Sequence, residues 1–172
     1  MPVPRPARVT DHPALVRCVQ HWWGDSRTPE EARALSLLLP RLFLQFFSRT
    51  SLVLESPEAG DGGGVQAFLV GFHAPENTTD AYIHFVGVHP ELRGQGVGRQ
   101  LYTAFFAQAA EAGRTDVRAI VSPGNAASLA FHQAMGFAPE GAGDRRVGGL
   151  PVHTDYDGPG EDRVCFHRRI GG

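Results

Sequence analysis

Val86-Gly-Val-His-Pro-Glu-Leu-Arg-Gly-Gln-Gly-Val-Gly-Arg-Gln-Leu101 is the stretch on which the reading of this chain turns. A β-branched run ends at Val88, a short turn follows, and a helical apolar pattern begins near Gly98. Between them stand Arg93, Gly94, Gln95, Gly96, Val97, Gly98 and Arg99. Three glycines here remove side chains, so backbone N–H groups can wrap an anion. The helix behind them adds the positive end of its dipole, and Arg93 and Arg99 add charge. Two other phosphate cradles are excluded. The P-loop needs a lysine, and all 16 basic residues are arginine. The dinucleotide fingerprint needs Gly-x-Gly-x-x-Gly, whereas the glycines stand at 94, 96 and 98. Taken alone, the cluster is also compatible with a glycine-rich turn that merely starts a helix.

Downstream lies Asn125-Ala-Ala-Ser128-Leu-Ala-Phe131-His132-Gln-Ala-Met-Gly136-Phe137. Together the two elements carry a resemblance. Arg93-x-x-Gly96-x-Gly98 after Ile83-x-x-x-Gly-Val-His-Pro90 resembles the acyl-CoA pyrophosphate loop of the GNAT superfamily of N-acetyltransferases. The second stretch is similar to that family's Asn-x-x-(Ala/Ser)-x-x-Phe-Tyr-x-x-x-Gly-Phe element, with His132 where the family has tyrosine. The resemblance implies splayed central strands at Tyr82–Val88 and Val117–Ser122. It implies acetyl-CoA as co-substrate, with the pantetheine arm on the backbone of Val86 and Val88 and the pyrophosphate on residues 93 to 99. Asn125 and Ser128 would face the CoA arm, Phe131 would pack near it, and the thioester would sit beside His132.

Acyl transfer to an amine requires a proton to leave the nucleophile and favours a proton reaching the departing sulfur. His84 alternates onto the same strand face as Tyr82, Val86 and Val88. It is read either as the base, directly or through water, or as a hydrogen-bonded histidine half-buried in a sheet. Tyr82 is a weaker candidate for base work through water. His132 stands at the family's acid position, and the Val88 N–H is a candidate to polarise the thioester carbonyl. His89 is expected to cap its turn. No metal site is expected, since His84 and His89 fall on opposite strand faces.

Outward from these elements, the chain reads as α/β: a three-layer mixed, mostly antiparallel sheet with helices on both faces. A strand is expected over residues 3 to 9, then a helix capped by Thr10 or Asp11 and closed by Gly24. A second helix starts in a Thr28-Pro-Glu-Glu31 capping box. Its apolar face, Leu35, Leu38, Leu39, Leu42, Phe43, Phe46 and Phe47, is expected to continue across a break at Pro40. Strands follow at Ser51–Glu55, Val65–Phe72 and Ala81–Val88, with a turn at Ser56–Gly64. Then come a helix from Gly98 to Ala112, a strand at Asp116–Ser122, a helix from Asn125 to Met135, a strand from Phe137 and a last strand at Arg163–Ile170. Leu150–Val152 is a brief apolar interlude in a Gly-, Asp- and Pro-rich region.

At 172 residues the expectation is one domain, 1–172. A net charge of -2 and 9% aromatic residues exclude a basic or stacking nucleic-acid binder as the default. Cys18 and Cys165 form no metal or disulfide pattern. The start Met1-Pro-Val-Pro-Arg5 lacks a signal peptide's apolar run, and Ala34–Phe47 is too short for a span of about 20 residues. A soluble, cytoplasmic protein is therefore expected. Its partner is a small-molecule or peptide amine, with a homodimer left open and neither nucleic acid nor membrane involved. Acids at Asp155, Asp157, Glu161 and Asp162 form either a solvated loop or an entrance favouring cationic amines. A longer acyl-CoA donor and a non-catalytic CoA-binding module are the alternative functions.

Overall fold

A computed structural model describes residues 2–23, 27–57 and 64–171. Its elements are β1 (Arg5–Pro6), α1 (His12–Trp22), α2 (Pro29–Ser36), α3 (Leu42–Phe46), β2 (Leu52–Glu55), β3 (Val65–His73) and β4 (Asp80–Val88). They continue as α4 (Val97–Glu111), β5 (Asp116–Val121), α5 (Ala126–Ala134), β6 (Ala138–Pro139), β7 (Arg145–Val147), β8 (Leu150–Val152) and β9 (Val164–Arg169). Among the described residues, one seven-stranded sheet runs β1-β2-β3-β4-β5-β9-β6, and β7-β8 form a separate ribbon. β4 and β5 pair in parallel from Asp80↔Asp116 to Ile83↔Ala119, while β2 pairs antiparallel with β1 and β3, and β9 with β5 and β6. Tyr82 and Ile83 are paired with Arg118 and Ala119, so the start of the stretch expected to splay, Tyr82–Val88 against Val117–Ser122, is held in the parallel register. No described helix is long and apolar enough to cross a membrane.

The chain groups into two compact units. One holds residues up to Phe72 together with His84–Ala109; the other holds His73–Ile83 and the chain from Ala110 onward. In the first unit, Leu15, Val19 and Trp22 recur at helical spacing on α1 and are buried with Leu39, Leu44, Val53, Phe68 and Val70. Burying such a side chain contributes about 1.5–3 kcal/mol. Gly87 is required by packing, because a Cβ there would lie 2.5 Å from the Phe68 ring. On β4, Ala81, Ile83 and Gly87 are buried while Tyr82, His84, Val86 and Val88 are half-buried, as the alternation predicts, but Phe85 on the first face is only half-buried.

Thr28 and Glu31 form the expected capping box: Thr28 Oγ1 accepts from Glu31 N at 3.2 Å, and Glu31 Oε2 accepts from Thr28 N at 2.7 Å. Pro40 interrupts the helix, with α2 ending at Ser36 and α3 starting at Leu42. The apolar face does not continue as expected. The break changes the helical phase, so Leu44 is buried while Leu38, Leu42 and Phe46 are exposed. The first strand is shorter than expected because Val9–Asp11 forms a 3-10 turn. Asp11 does not cap α1; its carboxylate accepts from Arg8 N at 2.7 Å and pairs with Arg5 at 2.9 Å. Gly24 lies outside the described residues, as does the 58–63 part of the Ser56–Gly64 turn.

In the second unit, Val117, Ala119, Leu129, Met135, Phe137, Val152, Val164 and Phe166 are buried. Asn125 Oδ1 accepts from Ser128 N at 3.1 Å and caps α5. The interlude at Leu150–Val152 is half of a hairpin with β7. Its turn, Gly148-Gly149, has φ of 56° and 81°, the paired positive values of a type I′ turn, so a two-glycine signal was present in the sequence.

Candidate active site

In the first unit, β4 leads into the glycine-rich loop. His89 Nδ1 accepts from Glu91 N at 3.3 Å, capping the Pro90–Leu92 turn as expected. Gly94 and Gly96 then take φ of 74° and 84°. Nothing lies within 4 Å of a Cβ built on either, so it is the left-handed backbone, not crowding, that calls for glycine. The Gly96 carbonyl accepts from Gln100 N at 3.0 Å, making Gly96 the cap of α4. The N–H groups from Gly94 through Gln95, Gly96, Val97 and Gly98 to Arg99 donate to no acceptor among the described residues. Gly94, Gln95, Gly96 and Arg99 are exposed. The result is a surface row of donors at the positive end of a 15-residue helix, a site suited to a phosphate.

Arg93 is placed differently from a simple phosphate cation. Its Nε donates to Val88 O at 3.2 Å and a terminal nitrogen donates to Trp22 O at 3.0 Å, with the guanidinium 5.7 Å from the Trp23 ring centroid. It braces the loop against β4 and α1. Gln95 closes the loop on itself, Nε2 donating to Glu91 O at 2.7 Å. The Val88 carbonyl is thus engaged within the protein. Val86 is half-buried on the same strand face.

His84 belongs to the same unit. Its Nε2 lies 2.5 Å from Leu38 O, and its ring stacks on Phe43 at 4.2 Å and 8°. Burial pushes its pKa below the ordinary histidine value, while the backbone bond pulls the other way. The ring is therefore neutral at neutral pH, and its proton sits on Nε2 because a carbonyl can only accept.

In the second unit, His132 is 6% exposed. Its Nδ1 lies 2.8 Å from Ser128 O, its ring stacks on Phe166 at 5.4 Å and 10°, and Phe131 and Phe137 meet it edge-on. Burial lowers its pKa. A neutral ring here carries its proton on Nδ1, toward Ser128 O. Ser128 Oγ lies 3.4 Å from the same ring nitrogen. The Asn125 carbonyl oxygen caps α5, and Phe131 is half-buried on that helix. Tyr82 has its pKa pushed up to about 12, by burial first and then by Asp157, Tyr156 and Cys165. It holds its proton through the neutral range and can donate, not accept.

Three of the four acids in the acidic loop are paired, by two arginines between them. Arg163 Nε pairs with Asp157 at 2.7 Å and its NH2 with Glu161 at 3.0 Å, while Arg145 pairs with Asp162 at 2.5 Å. Asp155 Oδ1 accepts from Gly160 N at 2.7 Å. The Leu38 carbonyl, Phe43 and Tyr156 are the site neighbours that sequence reasoning missed. Each is brought near by packing, and none carries a local motif. Among the described residues no group of three or more His, Cys, Asp or Glu side chains is arranged to hold a metal.

The acetyltransferase (GNAT) family matches residues 15–137. L-2,4-diaminobutyric acid acetyltransferase of Nocardia farcinica is 32% identical over 143 residues, covering 78% of this chain and 70% of the relative. Mycothiol acetyltransferase of Gordonia bronchialis is 35% identical over 120 residues, covering 69% of this chain but only 34% of the relative. Among solved structures, Ard1 of Thermoplasma volcanium superposes with a TM-score of 0.69 at 20% identity, covering 99% of this chain and 98% of that one; this likeness shows the fold.

Proposed function

The chain belongs to the acetyltransferase (GNAT) family and is an N-acetyltransferase that uses acetyl-CoA, and on that premise we propose that its acceptor is the primary amine of a small molecule or peptide N-terminus, attacked directly in a ternary complex. The family match runs across both units, and we take residues 1–172 as one acetyltransferase domain. The observation that carries the reading is the row of N–H groups from Gly94 to Arg99, at the start of α4, that meet no acceptor among the described residues. We assign the pyrophosphate of acetyl-CoA to this row and to the nearby charge of Arg93 and Arg99. The pantetheine arm is assigned to the backbone of Val86 and Val88. Asn125, Ser128 and Phe131 are assigned to CoA as well.

In the proposed reaction the amine nitrogen attacks the thioester carbonyl carbon. A C–N bond forms, the C–S bond breaks, and CoA leaves as thiolate. The ammonium proton goes to His84 through its Nδ1 lone pair, directly or through one water. Its depressed pKa keeps His84 in the accepting form at neutral pH. CoA departs as thiolate, and Tyr82, which keeps its proton, is proposed only to donate a hydrogen bond to the sulfur. His132 is assigned to holding α5 against Phe166.

The test is thiol release from acetyl-CoA with a panel of L-2,4-diaminobutyrate, other free amino acids and peptides with free N-termini. The first probe is chosen because a 32% identical relative is named for it. Turnover with one amine class supports the reading. Tight acetyl-CoA binding without release on any amine would point to a binding module, and release only from longer acyl-CoA would change the donor.

A further inference from the structure

His84 is held from two sides by one corner of the chain, and a proline explains both contacts. In a continuous helix the Leu38 carbonyl would accept from the N–H of Leu42, four residues on. Pro40 prevents this, since it has no N–H and its ring clashes with the carbonyl of Ser36. The end of α2 tightens instead, with Leu37 N donating to Ala34 O at 3.1 Å, Leu38 N to Leu35 O at 3.1 Å and Leu39 N to Ser36 O at 3.0 Å. The helix restarts with Phe43 N to Pro40 O at 3.1 Å and Leu44 N to Arg41 O at 3.0 Å. None of these bonds uses Leu38 O. That carbonyl meets His84 Nε2, 46 residues away in sequence, and the restart lays the Phe43 ring flat against the imidazole.

We infer that the α2–α3 corner, through the Leu38 carbonyl and the Phe43 ring, is a positioning device that fixes His84 with its proton on Nε2 and its lone pair on Nδ1. The inference rests on the reading of His84 as the base. When Nδ1 takes the amine proton, the amine nitrogen keeps the electron pair that forms the C–N bond, and the pair of the broken C–S bond leaves with sulfur. His84 becomes an imidazolium whose Nε2–H still points at Leu38 O, a charge-assisted bond stronger than the neutral one it replaces. The carbonyl therefore selects the reactive tautomer beforehand and stabilises the product of proton transfer.

The experiment is nitrogen NMR of the histidine rings near neutral pH, with the His84 signals assigned by their loss in His84→Gln. The wild type is expected to show protonated Nε2 and unprotonated Nδ1. Phe43→Leu is expected to mix the tautomers and lower kcat by roughly tenfold while leaving KM for acetyl-CoA unchanged, and Phe43→Tyr to restore both. Pro40→Ala, which lets Leu42 compete for the Leu38 carbonyl, should also mix the tautomers. Activity is read with the acceptor giving fastest thiol release in the amine panel. A wild-type ring protonated on Nδ1 would overturn the inference, and so would unchanged kcat in Phe43→Leu when His84→Ala is slow. Wild-type turnover in His84→Ala would overturn the base reading itself, and the inference with it.

Discussion

Two glycine-containing loops, residues 89–99 and 153–163, differ in charge and in what their polar groups do: the first carries Arg93 and Arg99 against Glu91, the second four acids against Arg163. Both use left-handed backbone: Gly94 and Gly96 in the first, Asp155, Gly158 and Gly160 in the second. In the first, the N–H groups from Gly94 to Arg99 find no acceptor among the described residues. In the second, the polar groups close on one another and on Arg145 and Arg163. Glycine content does not mark a binding loop. What separates the first loop is a row of backbone donors that meet no acceptor among the described residues, where an anion could bind without breaking an existing bond.

Gly96→Asp gives the largest expected break in that contrast. Like charges about 4 Å apart repel by roughly 4 kcal/mol at an effective dielectric of 20, before screening. Acetyl-CoA affinity should fall at least about a hundredfold by calorimetry, with the circular dichroism spectrum retained. Gly96→Ala adds only the backbone strain of about 1–2 kcal/mol and should cost roughly tenfold. Unchanged affinity in Gly96→Asp would remove the phosphate assignment. Gly160→Ala carries the same strain into the other loop. It should lower Tm by about 2–8 °C and leave acetyl-CoA affinity alone.

Asp157→Asn sharpens the comparison from the charge side. Because Arg163 already faces Asp157, the ratio of KM values for cationic and neutral amines should change by less than about threefold. A change beyond tenfold that shrinks with added salt would return the loop to the acceptor entrance.

The smallest effect on turnover is expected at His132. His132→Phe should keep kcat within about threefold of wild type, whereas losing a general acid would cost roughly a hundredfold. Its signature should appear in stability. Burial lowers the folded pKa below the unfolded value of about 6.5, so the unfolded chain binds more protons in between. This contribution is fully present above about pH 6.5 and is lost as pH falls toward the folded pKa. Melting curves of His132→Phe should lack that acid-side component. With His84 as the proposed base, the acid limb of kcat for the wild type should lie below about pH 6.5, since burial lowers that pKa too.

The amino-acid sequence alone determined the features governed by neighbours within about four residues. These include the Thr28–Glu31 capping box, the break at Pro40, the Asn125 cap, the apolar stripe of α4 and the glycine turns before it. Helix caps, proline breaks and left-handed turns are local in their physics, so they are legible in order along the chain. The family resemblance was legible for the same reason, since both of its motifs are contiguous. Only the tertiary structure decided where long side chains end up. His84 reaches a carbonyl 46 residues away, Arg93 reaches Trp22 O, and His132 turns onto Phe166 of β9. A ring nitrogen becomes donor or acceptor according to the group that packing places opposite it, and that group has no fixed spacing in sequence.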